Sequence, residues 1–191
     1  MTERVATTDV TGADNEWIRT RLFMRRPWLD DLPGPAALPP GYTLRVYGPD
    51  DLPALARLLT RAFEDLWDEE RVRHVLIDAP DVEETYVIAH QDRLVATASA
   101  RVMPDVYPGS GYLHWVGTDP DYQGKGLGTL ASIRVLHHFR DVGLRDAVLE
   151  TQTYRVRAVR AYLRLGFVPE YHYGDPGEQL RWARVLSQVV R

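Results

Sequence analysis

Glycines 124, 126 and 128 alternate through the segment Gln123-Gly-Lys-Gly-Leu-Gly128, with an apolar strand-like run before it and a helix-spaced run after it. A strand that feeds such a turn and then a helix gathers several backbone N–H groups at the helix N-terminus. There the helix dipole and the unpaired donors favour an anion. Glycines let those donors come close to a guest. A bound pyrophosphate is the natural one, and Lys125, the one lysine in the chain, adds a point charge at its edge. A tight strand-to-helix turn with no ligand would use the same glycines. A Walker loop is ruled out because Leu127 follows Gly126 where lysine and then serine or threonine would be needed. The dinucleotide fingerprint fails on its glycine spacing and on the antiparallel look of the preceding strands.

The order of elements around the loop predicts a mixed α/β domain with a mostly antiparallel sheet. Strands are expected at 42–47, 85–90, 94–102, 112–116 and 147–151, with closing strands at 168–173 and 180–185. The short polar turn Gln91-Asp-Arg93 makes a hairpin of the second and third. Pro49-Asp-Asp-Leu-Pro53 opens a helix carrying Leu55, Leu58, Leu59 and Phe63, and further helices are expected at 69–77, after the glycine loop, and at 156–165. Gly166 suits a left-handed cap to the last of these.

The chain divides into residues 1–41 and 42–191. The first part mixes a polar tail, large apolar residues such as Trp17, Phe23 and Trp28, and the proline-rich stretch Leu32-Pro-Gly-Pro-Ala-Ala-Leu-Pro-Pro40. It is expected to be a frayed tail and a partly docked arm, without a regular core element.

At 191 residues, 45% hydrophobic and 26% charged, the chain fits one globular domain with an extension. A formal net charge of -4 lacks the basic excess that binding to a phosphate backbone requires, so nucleic acid is not expected as a partner. The absence of cysteine excludes disulfides, thiolate metal ligands and a cysteine nucleophile. His137 and His138 are adjacent and point apart on a helix, so no metal site is expected. The polar start and the lack of a long apolar run predict a cytoplasmic protein without a membrane span. The oligomeric state is open, and a homodimer is compatible with the pattern.

Gln123-x-x-Gly126-x-Gly128, preceded by Val116-Gly-Thr-Asp-Pro120, resembles the acyl-CoA pyrophosphate motif of the GNAT superfamily of N-acetyltransferases. Ala158-Val-Arg-Ala-Tyr162-Leu-Arg-Leu-Gly166-Phe167 is similar to the downstream motif of the same superfamily, in the right order and separation. The resemblance spans roughly 42–185. It implies a GNAT-like fold, acetyl-CoA or a related acyl-CoA as co-substrate, and transfer of the acyl group to an amine. The coenzyme would be held by Val116, Gly117, Thr118, Gln123, Gly124, Lys125, Gly126, Leu127, Gly128 and Thr129, with Arg155 at the start of the later helix. Arg155 stands where many members carry asparagine, and Thr118 and Thr151 where valine is frequent.

Acyl transfer to an amine needs a base, donors for an oxyanion and an acid for the departing thiolate. Tyr162 is the candidate acid, with a phenol that stays protonated at neutral pH and close enough in pKa to a thiol to return a proton. The resemblance places a tyrosine here beside the thioester sulfur. Leu149-Glu150 is similar to the pair in ribosomal-protein N-terminal acetyltransferases whose glutamate is the base, and His114 is the reserve base. Gly117 predicts a strand bulge that opens a slot for an extended ligand. The acidic run Glu64, Asp65, Asp68, Glu69, Glu70 could attract a cationic amine, although solvated and capping carboxylates are the plainer reading. The expected acceptor is a small-molecule amine or a peptide N-terminus. An acyl-CoA sensor without turnover and a GNAT-like thioester decarboxylase are the alternatives.

Overall fold

The computed structural model describes residues 21–35, 37–171, 175 and 177–189. Among them, one sheet runs in the order β2-β3-β4-β5-β6-β1-β7. Its strands are β1 (Arg21–Arg26), β2 (Tyr42–Val46), β3 (Val82–His90), β4 (Arg93–Val102), β5 (Ser110–Thr118), β6 (Asp146–Gln152) and β7 (Val168–Glu170). Every recorded pairing is antiparallel except that of β5 with β6. The mixed, mostly antiparallel sheet expected from the sequence is therefore present.

Helices cover both faces. On one lies α1 (Leu52–Phe63), where Leu52, Leu55, Leu58 and Leu59 recur at helical spacing and are buried. It is followed by α2 (Glu69–Val72), which widens into a π-turn over Arg73–Ile77. These pack with Trp67, Val87 and Leu94. On the other face α3 (Leu127–Asp141), α4 (Val156–Arg164) and α5 (Glu178–Val189) pack through Val135, Leu136, Phe139, Val159 and Trp182 against Leu22, Met24, Leu113 and Leu149 of the sheet. No helix among the described residues is long and apolar enough to cross a membrane.

Three expectations are corrected. The segment 180–185 is part of α5, not a strand. Trp182, Val185, Leu186 and Val189 face the core at helical spacing, whereas Leu180, which an alternating strand would bury with Trp182, is exposed. Of the strand expected at 168–173 only Val168–Glu170 forms, and residues 172 and 173 lie outside the described residues. Residues 1–41 do contain a regular core element. β1 lies between β6 and β7, with Leu22 and Met24 fully buried. Its alternation is masked in the sequence by arginines. Arg21 and Arg25 occupy the polar face, while Arg26 is buried and donates to the Leu165 carbonyl and to Asp31. The proline-rich stretch after it forms no strand, as its lost N–H donors require.

Candidate active site

The parallel pairing of β5 with β6 runs from Ser110 and Asp146 to Tyr112 and Val148 and stops there. Beyond it each strand continues with main-chain N–H and C=O groups turned towards the gap. The cause is a bulge in β5. Thr97 pairs with Gly117 and Ser99 with His114, so Trp115 and Val116 have no single partner on β4. Trp115 holds φ at 43°, which is rare for a bulky residue, and its indole is fixed edge-on against Phe63 at 4.9 Å and Trp67 at 4.5 Å. The bulge expected at Gly117 thus sits one step earlier. Gly117 serves close packing instead, because a Cβ there would come within 3.2 Å of Ala62 and Phe63.

The glycine loop closes the far end of the gap. Gly124 and Gly126 have φ of 79° and 74°, a region that favours glycine, and added Cβ atoms at either would meet nothing within 4 Å. The backbone here faces open space. Gly126 is the N-cap of α3 and offers no side-chain cap, which leaves the first-turn N–H groups of Leu127, Gly128 and Thr129 for a guest. Gly128 lies against the end of β5, since a Cβ on it would stand 3.0 Å from Thr118 Oγ1 and 3.6 Å from Val116 Cγ1. The Leu127 side chain goes into the core. Gln123 ends the short turn Pro120–Tyr122 in an extended conformation. Buried Asp119 anchors that turn, accepting from Arg61 Nε at 3.0 Å and from Arg93 at 3.1 Å. Lys125 is folded back over the Tyr122 ring, 4.9 Å from its centroid, and donates to the Tyr42 hydroxyl at 3.2 Å. Its charge sits beside the loop without entering it.

Glu150 lies on β6 just past its last pairing with β5, and Tyr162 lies on the opposite side of the sheet. Leu149 belongs to the same apolar cluster as Tyr162, so strand alternation turns Glu150 to the face carrying α1 and α2. Tyr162, on α4, is 8% exposed, lies edge-on to Phe167 at 5.9 Å, and is pushed up to about 12 by burial, against which the Arg155 cation pulls down. Arg155 precedes α4, donates to Gln152 Oε1 at 2.9 Å and lies 5.0 Å over Phe63. Thr151 is buried. Glu150 accepts from Arg21 at 3.2 Å.

Beside Glu150 stands Tyr112, which sequence reasoning missed. Tyr112 is pushed well above the usual phenol range, first by burial and then by the neighbouring Glu150 carboxylate. Tyr107 stacks on it at 5.8 Å. Tyr112 was legible as the residue two before His114 on one strand face. His114 fits the role of reserve base poorly. Its Nδ1 is buried without a partner, and burial, aided by Arg101, lowers its pKa to about 3, so it is neutral and weakly basic. In the acidic run, Asp68 caps α2 through the Arg71 N–H at 2.8 Å and Asp65 pairs with Arg71 at 2.8 Å, both structural uses. Trp67 and Trp115 are packing residues, and Tyr171 is exposed. Among the described residues no group of side chains is arranged to hold a metal ion.

Residues 52–167 match the acetyltransferase (GNAT) family, and the chain belongs to it. A mycothiol acetyltransferase of Nocardia farcinica is 33% identical over 163 residues, covering 79% of this chain and 52% of that protein. One from Thermomonospora curvata is 35% identical, covering 78% and 52%. The chain thus spans about half the length of these curated relatives. Among solved structures, an acetyltransferase of the GNAT family from Novosphingobium aromaticivorans superposes with a TM-score of 0.59 at 25% identity, covering 78% of this chain and 59% of that one. The ribosomal-protein-S18-alanine N-acetyltransferase of Escherichia coli shares the fold, with a TM-score of 0.56 at 19% identity, covering 71% and 97%.

Proposed function

We propose that this chain transfers an acetyl group from acetyl-CoA to a primary amine by direct attack in a ternary complex. The observation that carries the reading is the gap between β5 and β6. It has an uncapped helix N-terminus at one end and the Glu150 carboxylate on a bordering strand, with the buried Tyr162 phenol packed on the opposite face of the sheet. In this reading the pyrophosphate is met by backbone N–H groups of the 123–129 loop, with Lys125 adding charge. The extended pantetheine amides are met by main-chain groups of Val116, Gly117 and Thr118, and Arg155 borders the site at the head of α4.

Glu150 takes a proton from the acceptor ammonium, directly or through a water. The neutral amine attacks the thioester carbon, backbone N–H groups at the bulge hold the oxyanion, and the C–S bond breaks as Tyr162 protonates the thiolate, while the second proton on nitrogen leaves to water. Opposite faces suit the opposite proton movements, since the amine arrives on the side of α1 and α2 and the sulfur leaves on the side of α4. A small-molecule amine is the acceptor favoured by the names of the half-matching relatives. A peptide N-terminus is the second reading, carried by Leu149-Glu150. The cytoplasm is the proposed compartment.

Thiol release from acetyl-CoA across a panel of amines tests the proposal, with an acetylated amine in equal amount as the expected product. Coenzyme binding with no thiol release from any amine would instead support a sensor. Conversion of malonyl-CoA to acetyl-CoA without an amine would support a decarboxylase.

A further inference from the structure

β1 brings the arm of the chain into the site. Its register sets Arg21 opposite Gln152, Phe23 opposite Glu150 and Arg25 opposite Val148, so these three residues share the sheet face of Glu150. Arg25 is fully engaged. Its Nε donates to Glu170 at 2.9 Å, and its Nη1 donates to Asp146 at 2.9 Å and to Ser110 at 3.1 Å. Among the described residues Arg21 pairs with Glu150 alone, at 3.2 Å, and its side chain is 72% exposed against 26% for the carboxylate. A pair as open as this adds little to stability and exchanges readily for other partners.

We propose that Arg21 and Glu150 together select an acceptor that carries a carboxylate on the carbon next to its amine, that is, an α-amino acid. The inference rests on the acetyl-transfer reading and names its substrate class. In such a molecule the ammonium and the carboxylate are attached to one carbon and lie side by side, as the guanidinium and carboxylate of the protein do. Binding exchanges one internal ion pair for two intermolecular ones. The acceptor carboxylate takes the planar fork of Arg21, and its ammonium takes Glu150. The stacked Tyr107 and Tyr112 supply an aromatic wall for the side chain of the acceptor.

The exchange also bears on catalysis. An acceptor whose carboxylate takes Arg21 leaves the Glu150 carboxylate free to meet the ammonium. The nitrogen then bonds to the acetyl carbon and the carbon–sulfur bond breaks; one ammonium proton ends on Glu150, the phenol proton of Tyr162 ends on sulfur, and the second nitrogen proton passes through water to restore the phenol. An amine whose neighbouring group is a neutral amide, as in a peptide N-terminus, leaves Arg21 on Glu150.

The test is steady-state thiol release from acetyl-CoA with L-phenylalanine against L-phenylalaninamide, and L-leucine against L-leucinamide. The wild-type protein should favour the free acids in kcat/KM by about tenfold or more. Arg21→Met should bring the ratio down to about one, and Arg21→Glu should turn it in favour of the amides. Unchanged acetyl-CoA affinity in both variants shows that they are folded. Equal rates for acid and amide in the wild type, or a preference that survives both substitutions, overturns the inference while thiol release keeps the transfer reading intact. No release from any amine removes the transfer reading, and this inference with it.

Discussion

Replacing Tyr162 by phenylalanine removes one oxygen from a residue that is 8% exposed and leaves its edge-on contact with Phe167 in place. Among the described residues no hydrogen bond to that hydroxyl is formed, so no buried partner is orphaned, and the fold should change in stability by no more than about 1 kcal/mol. The chemistry loses its acid. A positioned proton donor contributes about 10²- to 10⁴-fold, so kcat should fall by about 10²-fold or more while the dissociation constant for acetyl-CoA stays within about twofold. The pH profile sharpens the test. Burial holds the phenol up to about 12, so it remains protonated through the working range. Tyr162 should therefore add no alkaline limb to kcat below about pH 11. Thiol release at saturating substrate between about pH 6 and 10, with calorimetric binding of the coenzyme, measures both quantities. A phenylalanine variant that keeps about a third of wild-type kcat would refute the assignment. So would an alkaline limb near pH 9 that disappears in the variant.

His114 predicts acid sensitivity. Its pKa is about 3 in the fold against 6.5 for the free group, so below pH 6.5 the unfolded chain gains a proton that the folded chain refuses. This contribution to stability is complete above pH 6.5 and is lost as pH falls towards 3, with about 2 kcal/mol gone by pH 5. Urea midpoints at pH 7.5 and pH 5 should differ accordingly in the wild type and much less in His114→Gln. Gly128→Val forces side-chain atoms onto Thr118 and Val116, where even a Cβ stands at 3.0 and 3.6 Å. The N-terminus of α3 should be displaced from β5, and acetyl-CoA affinity should fall about tenfold or more with helix content unchanged by circular dichroism. Undiminished affinity in that variant would mean that the seating of α3 on β5 does not shape the coenzyme site.

The middle of the fold was legible because local signals there agree with tertiary demands. The hairpin at Gln91, the leucine spacing of α1, the glycine loop and the left-handed Gly166 all use residue types that leave few alternatives. β1 was hidden because Phe23 interrupts the arginines of its outer face and its third inward position is also arginine, buried against a carbonyl that no sequence pattern reveals. α5 was misread because Leu180 and Trp182 alternate by chance at the start of a segment whose later apolar residues follow helical spacing. Glu150 and Tyr162 could be named from motifs, but their placement on opposite faces depends on strand register. Arg21 joins the site through a contact distant in sequence, which no local window contains, whereas Tyr112 was readable from its place two residues before His114 on one strand face. The bulge was foreseen through glycine, although the strained residue is Trp115, held by aromatic packing.

Calorimetric titration of the protein with acetyl-CoA, beside a Gly126→Asp variant, decides whether the 123–129 loop holds the coenzyme. Gly126 has φ of 74° and caps α3, so aspartate there strains the turn and sets a negative charge where the proposed pyrophosphate would lie. Micromolar binding is expected of the wild type, and its loss in a variant that remains folded. No binding of acetyl-CoA by the wild type, or equal binding by the variant, would contradict a coenzyme site at this loop.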